Sequence, residues 1–524
     1  MKRIFTLASL VLTLSASGFA QGEMDAFNLS YNDLTGTARG VAMGGAFGAL
    51  GGDATGVAIN PAGIGVYSSS EIVTTLNFTN RKAETNFLGS KADDSKFKFN
   101  FDNIAIVGAF PLNSDEVPLI NFGFAYNNLK SFDRKVSMRG NQHLYSLTDY
   151  VTDMANIVGS GNIIPKNAYD ISGDWLPILG YDGGLTVYDE NSKTFSSPLK
   201  QGEKVNNRLN MREKGYISSY DFSLGTTISD MLSIGATVSV TDIDYHLSST
   251  YSEDFYESGK DGEGFDLYNG LSTEGTGWQV KAGLIFKPVN ELRIGVAYHS
   301  PTWYNMTDYY YGEVEYKYYT DKGINEGLVY TPDNAATDYK FRTPDKWVFS
   351  LAGVIGKYAI ISADYELTNY SKMNLQDRNG YDYEDTNLLI KDDFKNASTL
   401  RVGAEVRITP QFSARVGYAW QQSPLEKSFK EGEKEVWTVG TVPHYTLVGD
   451  ANHFTWGLGY KFKPITGTKS YFYTDVAFVI KNRTDDLYTY SKMYNEKGET
   501  VVDNKPAELK TNQFTGLLSV GYRF

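Results

Sequence analysis

The stretch Thr515-Gly-Leu-Leu-Ser-Val-Gly-Tyr-Arg-Phe524 sets Leu518, Val520, Tyr522 and Phe524 on one face of an extended strand. Thirteen further alternating segments precede it, the first beginning at Glu71. Short turns at Ser229-Asp-Met231, Pro288-Val-Asn290, Gly356-Lys-Tyr358 and Thr409-Pro-Gln411 alternate with long polar loops. The largest loop runs from about Ser131 to Lys214. An even strand count, segments of about ten residues and this short/long rhythm mark a transmembrane β-barrel. The spacing therefore predicts a 14-stranded antiparallel barrel over residues 71–524, in a bacterial outer membrane, with both barrel ends in the periplasm. Its first two strands are read as Glu71–Asn80 and Phe101–Leu112, its seventh and eighth as Glu291–Tyr310 and Tyr339–Gly356.

Composition agrees. Aromatic residues make up 14% of the chain, with 38 Tyr, more than a soluble core needs and well suited to lipid–water interfaces. The absence of cysteine excludes disulfides, thiolate metal sites and a lipidated N-terminal cysteine. Lys2 and Arg3, an apolar run from Ile4 to Leu14, and Gly18-Phe-Ala20 read as a secretory signal over residues 1–20. Loss of its two cations takes the formal charge from −13 to −15, which argues against nucleic acid as a partner. No later run reaches the length of a transmembrane helix.

Strand parity assigns the two faces. Leu400, Val402, Ala404 and Val406 alternate with Arg401, Gly403, Glu405 and Arg407. Phe412, Ala414, Val416 and Tyr418 alternate with Ser413, Arg415 and Gly417, and Ile294 and Val296 with Arg293 and Gly295. A charge facing mid-bilayer lipid costs roughly 2–4 kcal/mol, so the charged parity is the lumen. Glycines at 123, 225, 235, 283, 295, 403, 417, 457 and 521 share it and leave space inside.

Residues 21–70 show almost no strand alternation and carry Ala38-Arg-Gly-Val-Ala-Met-Gly-Gly-Ala-Phe47 and Asn60-Pro-Ala-Gly-Ile64. Gly45, Gly48 and Gly51 loosely mimic a phosphate-binding loop, but no strand precedes them and no Lys-Ser/Thr pair follows. Tight packing in a confined space explains them better, as a hatch that plugs the lumen.

These two stretches resemble the start of the FadL/TodX family of outer-membrane hydrophobic-compound transporters. Arg293-Ile-Gly-Val-Ala-Tyr-His-Ser-Pro301 and Arg415-Val-Gly-Tyr-Ala-Trp420 are similar to its later strands. The resemblance spans essentially the whole mature chain. It implies a monomer in outer-membrane lipid, a hatch motif at Asn60, Pro61 and Ala62, and passive uptake of long-chain fatty acids or aromatic or haem-like compounds. It also implies lateral release through a kinked early strand, placed here at Gly123. The long loop 131–214 stands earlier than the family's large loops do.

Arg293, Arg401 and Arg415 are the candidate lumen cations for a substrate head group; the alternative is that they pair with interior carboxylates such as Glu405. Leu144, Leu147, Val151, Met154 and Val158 recur at helical spacing, either to catch a greasy ligand or to pack the long loop. The five histidines form no close pair, which leaves His299 as a lone haem-ligand alternative. Asp377-Arg-Asn-Gly-Tyr-Asp-Tyr-Glu-Asp385 has calcium-like oxygen spacing without the full loop pattern and reads better as a solvated turn. No cofactor, metal site or catalytic constellation is expected, so the chain is read as no enzyme. The competing function is a general diffusion porin for small polar solutes. An energy-coupled receptor would need about 22 strands.

Overall fold

The structure is a computed structural model that describes residues 22–524 except 201, 256–261, 321–322, 333–334, 433, 437, 465–468 and 496. The expected signal sequence lies outside the described residues. Fourteen strands close a ring: β1 (Glu71–Phe87), β2 (Ser90–Pro111), β3 (Leu119–Ser131), β4 (Val205–Ile228), β5 (Leu232–Phe255), β6 (Gly264–Val289) and β7 (Leu292–His299) form its first half. The second half is β8 (Lys346–Ile355), β9 (Ala359–Asn369), β10 (Asn396–Arg407), β11 (Phe412–Gln421), β12 (Ala451–Lys461), β13 (Tyr471–Tyr488) and β14 (Ala507–Arg523). Each pairs antiparallel with the next, and β1 pairs with β14 from Glu71↔Arg523 to Asn86↔Glu508, which leaves no free edge in lipid.

Burial follows the parity read from the sequence. Val402, Val406, Val416, Leu518 and Val520 are exposed on the outside, whereas Gly403, Glu405 and Arg415 are buried within. Trp278 stacks on Trp303 with ring centroids 4.5 Å apart and Tyr298 meets Trp347 at 4.8 Å, outer-face aromatics of the kind that anchor a barrel at the interface.

The ring departs from the sequence reading in two places. Strands β1 and β2 continue far beyond the expected loop and meet at Leu88-Gly89, where φ is +49° and +89°. This is a two-residue turn with positive φ at both positions, which suits a tight hairpin. Most residues from Arg81 to Lys96 are polar, as suits a hairpin rising above the membrane, while Ala83 and Phe87 turn inward and are buried. Strands β7 and β8 are each shorter than expected. Their ladders stop at Ser300-Pro301-Thr302 and Thr343-Pro344-Asp345, opposite one another, and resume at Trp303↔Arg342. Two prolines remove two ladder donors at one level. Thr302 N–H donates instead to Thr343 Oγ1 at 2.8 Å, and Val280 N–H to Ser300 Oγ at 3.0 Å.

The segment before β1 lies inside the ring as α1 (Glu23–Ser30), α2 (Ala38–Ala42), α3 (Ala54–Ile59) and a 3-10 turn, Pro61–Val66. Among the described residues no helix is long and apolar enough to cross a membrane. A closed ladder of this kind should resist SDS until heated. The purified protein should therefore run as a fast, compact band unheated and at about its chain mass after boiling. Equal mobility in both lanes would contradict the ring.

Candidate functional site

The hatch is held by the inward face of the barrel on every side. Asp364 of β9 accepts the backbone N–H groups of Phe47 and Gly48 at 3.0 and 2.9 Å. Asn121 of β3 donates to Ile64 O and Tyr67 O, and Arg523 of β14 to Gly52 O. Inward glycines are where the two backbones approach most closely: a Cβ on Gly417 would lie 2.2 Å from Gly44 N, and one on Gly235 2.2 Å from Pro61 O. The expected hatch motif acts as a staple. Asn60 caps the 3-10 turn through Ala62 N–H at 3.1 Å, with Pro61 at the first helical position, and its Nδ2 donates to Gly48 O at 2.7 Å and to Leu284 O on β6 at 3.2 Å.

The three expected head-group arginines are not brought together. Arg293 donates to Leu50 O at 2.6 Å and so anchors the hatch. Arg415 is buried between Glu405, at 2.6 Å, and Asp475, at 2.5 Å, and Glu405 also receives Arg39 of α2 at 2.9 Å. Arg415 thus pairs with interior carboxylates, the alternative weighed above, whereas Arg293 meets a hatch carbonyl and no acid among the described residues. Arg401 pairs with Glu366 at 2.7 Å but keeps its Nη1 without a partner and lines a cavity. His299 donates from Nε2 to Ile59 O at 2.9 Å, so it too holds the hatch.

Two cavities occupy the lumen above the hatch, divided by α1 and the residues that follow it. Tyr31 and Asp33 line both. The lower chamber, about 170 Å³, mixes polar and apolar lining and includes Gln279, Lys281, Glu366, Arg401 and His453. The upper cavity, about 140 Å³, has an apolar wall from Met24, Phe27, Phe132, Met211, Leu247 and Leu271. Five cations face it as well: Arg81, Lys130, Arg134, Lys481 and Arg483. Arg134 pairs with Glu213, Arg483 with Asp485 and Lys481 with Asp33, which Arg81 also approaches at 4.0 Å. Burial alone would raise the Asp33 carboxyl, but Lys481 and Arg81 hold it well below the usual carboxylate range. Burial pushes Asp25, which also lines the cavity, up to about 7 and removes part of its charge.

Lys130 stands apart. It is 8% exposed, and among the described residues it makes no ion pair. Its ammonium donates to the neutral Asn28 side chain at 2.9 Å and to Asn28 O, 4.6 Å from the centre of the Phe132 ring. Sequence parity concealed it. Along β3 the even positions Phe122 and Phe124 face lipid, which would send Lys130 outward. The register shifts between Asn128 and Lys130, so Lys130 opposes inward-facing Ile217. That bulge is the irregularity of β3. At Gly123, where a kink was expected, pairing is unbroken on both sides with Val107 and Ser223; a Cβ there would meet Ile64 Cδ1 at 2.8 Å.

The remaining candidates are structural. The helix expected near residue 147 is α4 (Leu147–Val158); Leu147 and Val151 are fully buried in the core of the extracellular loops, while Leu144 is exposed outside it. Asp377 accepts the N–H groups of Asn379 and Tyr381, each at 2.8 Å, as an ordinary turn does.

A closed fourteen-strand ring with an ordered N-terminal plug defines an outer-membrane channel protein. The chain belongs to the family described as outer membrane protein transport protein (OMPP1/FadL/TodX), whose model matches residues 218–497. By structure it is similar to a Pseudomonas aeruginosa FadL homologue at 14% identity and a TM-score of 0.54, over 94% of this chain and 100% of that one. It is also similar to a deltaS2 mutant of the TodX monoaromatic hydrocarbon channel at 12% identity and a TM-score of 0.51, over 94% and 100%. No curated protein matches by sequence.

Proposed function

We propose that this protein is a monomeric channel for passive uptake of hydrophobic molecules carrying an anionic head, with long-chain carboxylates as the leading class. The observation that carries this reading is Lys130, a buried amine that makes no ion pair among the described residues, set beside the apolar wall of the upper cavity. A carboxylate there would gain a charge-assisted hydrogen bond and remove the cost of an unpaired buried charge. Displacement of α1 would then admit the ligand to the lower chamber, where the unpartnered Nη1 of Arg401 offers a second contact. Release would follow the narrow cleft between hatch and wall lined by Val57, Ile64, Val107, Gly123 and Ala125.

Such a bond contributes roughly 1.5–3 kcal/mol, so Lys130→Gln should weaken fatty-acid binding in detergent about ten- to a hundredfold. Arg293→Ala and Arg415→Ala should leave affinity unchanged, because both arginines are committed elsewhere. Equal binding by Lys130→Gln and the parent would remove the site. Uptake separates release from binding: Gly123→Leu, which fills the cleft against Ile64, should keep affinity and lose transport. The porin alternative has no comparable support, since an ordered segment occupies the lumen that a polar solute would need.

A further inference from the structure

Beyond the ladder gap the strand Trp303–Thr320 rises and turns back on itself as a ribbon with Gly323–Tyr330, antiparallel from Glu313↔Tyr330 to Thr320↔Gly323. The inner face of the ribbon is occupied: Val314 is fully buried, and Val329 packs on the core of the extracellular loops. Its outer edge is open. Among the described residues no strand pairs with the far side of Gly323–Tyr330. Thr331 N–H donates to Gly312 O at 2.9 Å. In an antiparallel ladder such bonds recur at every second residue, so Val329, Gly327 and Asn325 point their N–H groups into the ribbon. Those of Tyr330, Leu328, Glu326 and Ile324 line the open edge. The side chains of the same four share the solvent face, with Ile324 57%, Leu328 53% and Tyr330 63% exposed.

Free edges are ordinarily blunted by a lysine, a proline or a bulge. Gly323–Tyr330 contains none of these. Lipid does not cover it either. Glu313 stands ten residues beyond Trp303 of the outer aromatics, roughly 33 Å of extended chain. A strand tilt of about 40° therefore holds the edge about 25 Å above that level. The same face is acidic. Glu315 lies directly across from Asp266 of β6 on one side and from Leu328 on the other, and Glu313 lies between Tyr268 and Tyr330. Asp266, Glu313 and Glu315 all crowd the Tyr268 phenol, and among the described residues none of them makes an ion pair. Lys317, which follows on the same face, is turned to the Tyr319 ring, 5.6 Å from its centre. Carboxylates set opposite one another weaken a ladder, so the fold gains nothing from this arrangement. Among the described residues no group of three or more acids and histidines is placed to hold a metal ion.

We propose that the open edge Gly323–Tyr330 is an extracellular docking site for a cationic, extended segment of another protein, which adds to the ribbon as a further strand. The edge N–H and C=O groups supply the main-chain bonds of such an addition, and alternate side chains supply the selection. Apolar residues of the segment cover Ile324, Leu328 and Tyr330. Its lysines or arginines reach Glu326 beside them and Glu313 and Glu315 one strand further, about 10 Å across two strand spacings. Asp266 adds to the field from β6. A second copy of this chain is a poor occupant, because edge-to-edge pairing would set these carboxylates against their own equivalents. The site is independent of what the lumen carries.

Fluorescence anisotropy of a labelled alternating Lys/Val peptide, matched to the 8 residues of the edge, tests this on the full chain in detergent at low salt. Saturable binding is expected. A copy with every second backbone amide methylated, which cannot extend the ladder, should bind at least about tenfold more weakly. A Glu/Val copy should not bind. Leu328→Lys, which places on the edge the charge that natural edges carry, should weaken the Lys/Val peptide about tenfold or more. The double variant Glu313→Gln, Glu315→Gln should do the same and should flatten the salt dependence, since exposed charges are what salt screens. Folding of each variant is checked by the heat shift of its gel band. Should a variant fail to assemble, the three peptides on the parent still decide. Absence of saturable binding overturns the proposal, as does equal binding by the methylated or the acidic copy, or by Leu328→Lys and the parent. Light scattering guards against self-pairing: a dimer of the parent that Leu328→Lys disperses would give the edge to a second copy and overturn the cationic partner.

Discussion

Deleting residues 21–67, or replacing Ala62 by Trp, should raise conductance in planar bilayers about tenfold or more, because a ring of this size without a plug approaches the porins that hold an aqueous channel. Ala62 is fully buried, and its N–H lies 2.9 Å from where a Cβ on Gly235 would stand. An indole has no room there without lifting Pro61–Val66 off β4, β5 and β6. Gly235→Leu attacks the same contact from the wall and should have the same effect, whereas Gly353→Leu, whose Cβ would meet nothing within 4 Å, should have none. The paired glycine variants matter because a general loosening of the barrel would raise both. If the parent already conducts like an open pore and the deletion changes nothing, the segment is no plug and the porin reading returns.

Arg415→Ala should lower the temperature at which the compact gel band is lost without changing affinity for a fatty acid. Removing the arginine leaves Asp475 buried without an ion-pair partner and Glu405 with Arg39 alone. Breaking a buried ion pair from one side costs about 3–5 kcal/mol, since the remaining charge stays desolvated. The same substitution should weaken the hold on α2, because Arg39 and Arg415 share Glu405. A variant that melts like the parent but binds ligand poorly would return Arg415 to the head-group site from which its two carboxylates now exclude it.

The alternation from Glu71 to Phe524 determined the ring, its inside and outside and its compartment, because a strand crossing lipid cannot place a charge on the wrong face without a cost of kcal/mol. Glycines on the charged parity, beside a Gly/Ala-rich leader, determined that something packs against the wall. Asn60-Pro-Ala62 was legible as a motif, and its role as a cap and staple needed only coordinates to become concrete. Parity could not say which interior cations are spent. Arg293, Arg401 and Arg415 are equivalent by that rule, and only the fold shows that the first holds a hatch carbonyl, the second lines a cavity and the third lies between acids on β10 and β13. Lys130 was invisible for the opposite reason: one extra residue in β3 inverts the rule from which its direction was read. Strand faces follow from a local period of two, while the pairing of charges depends on which distant residues the closed ring brings to the same depth.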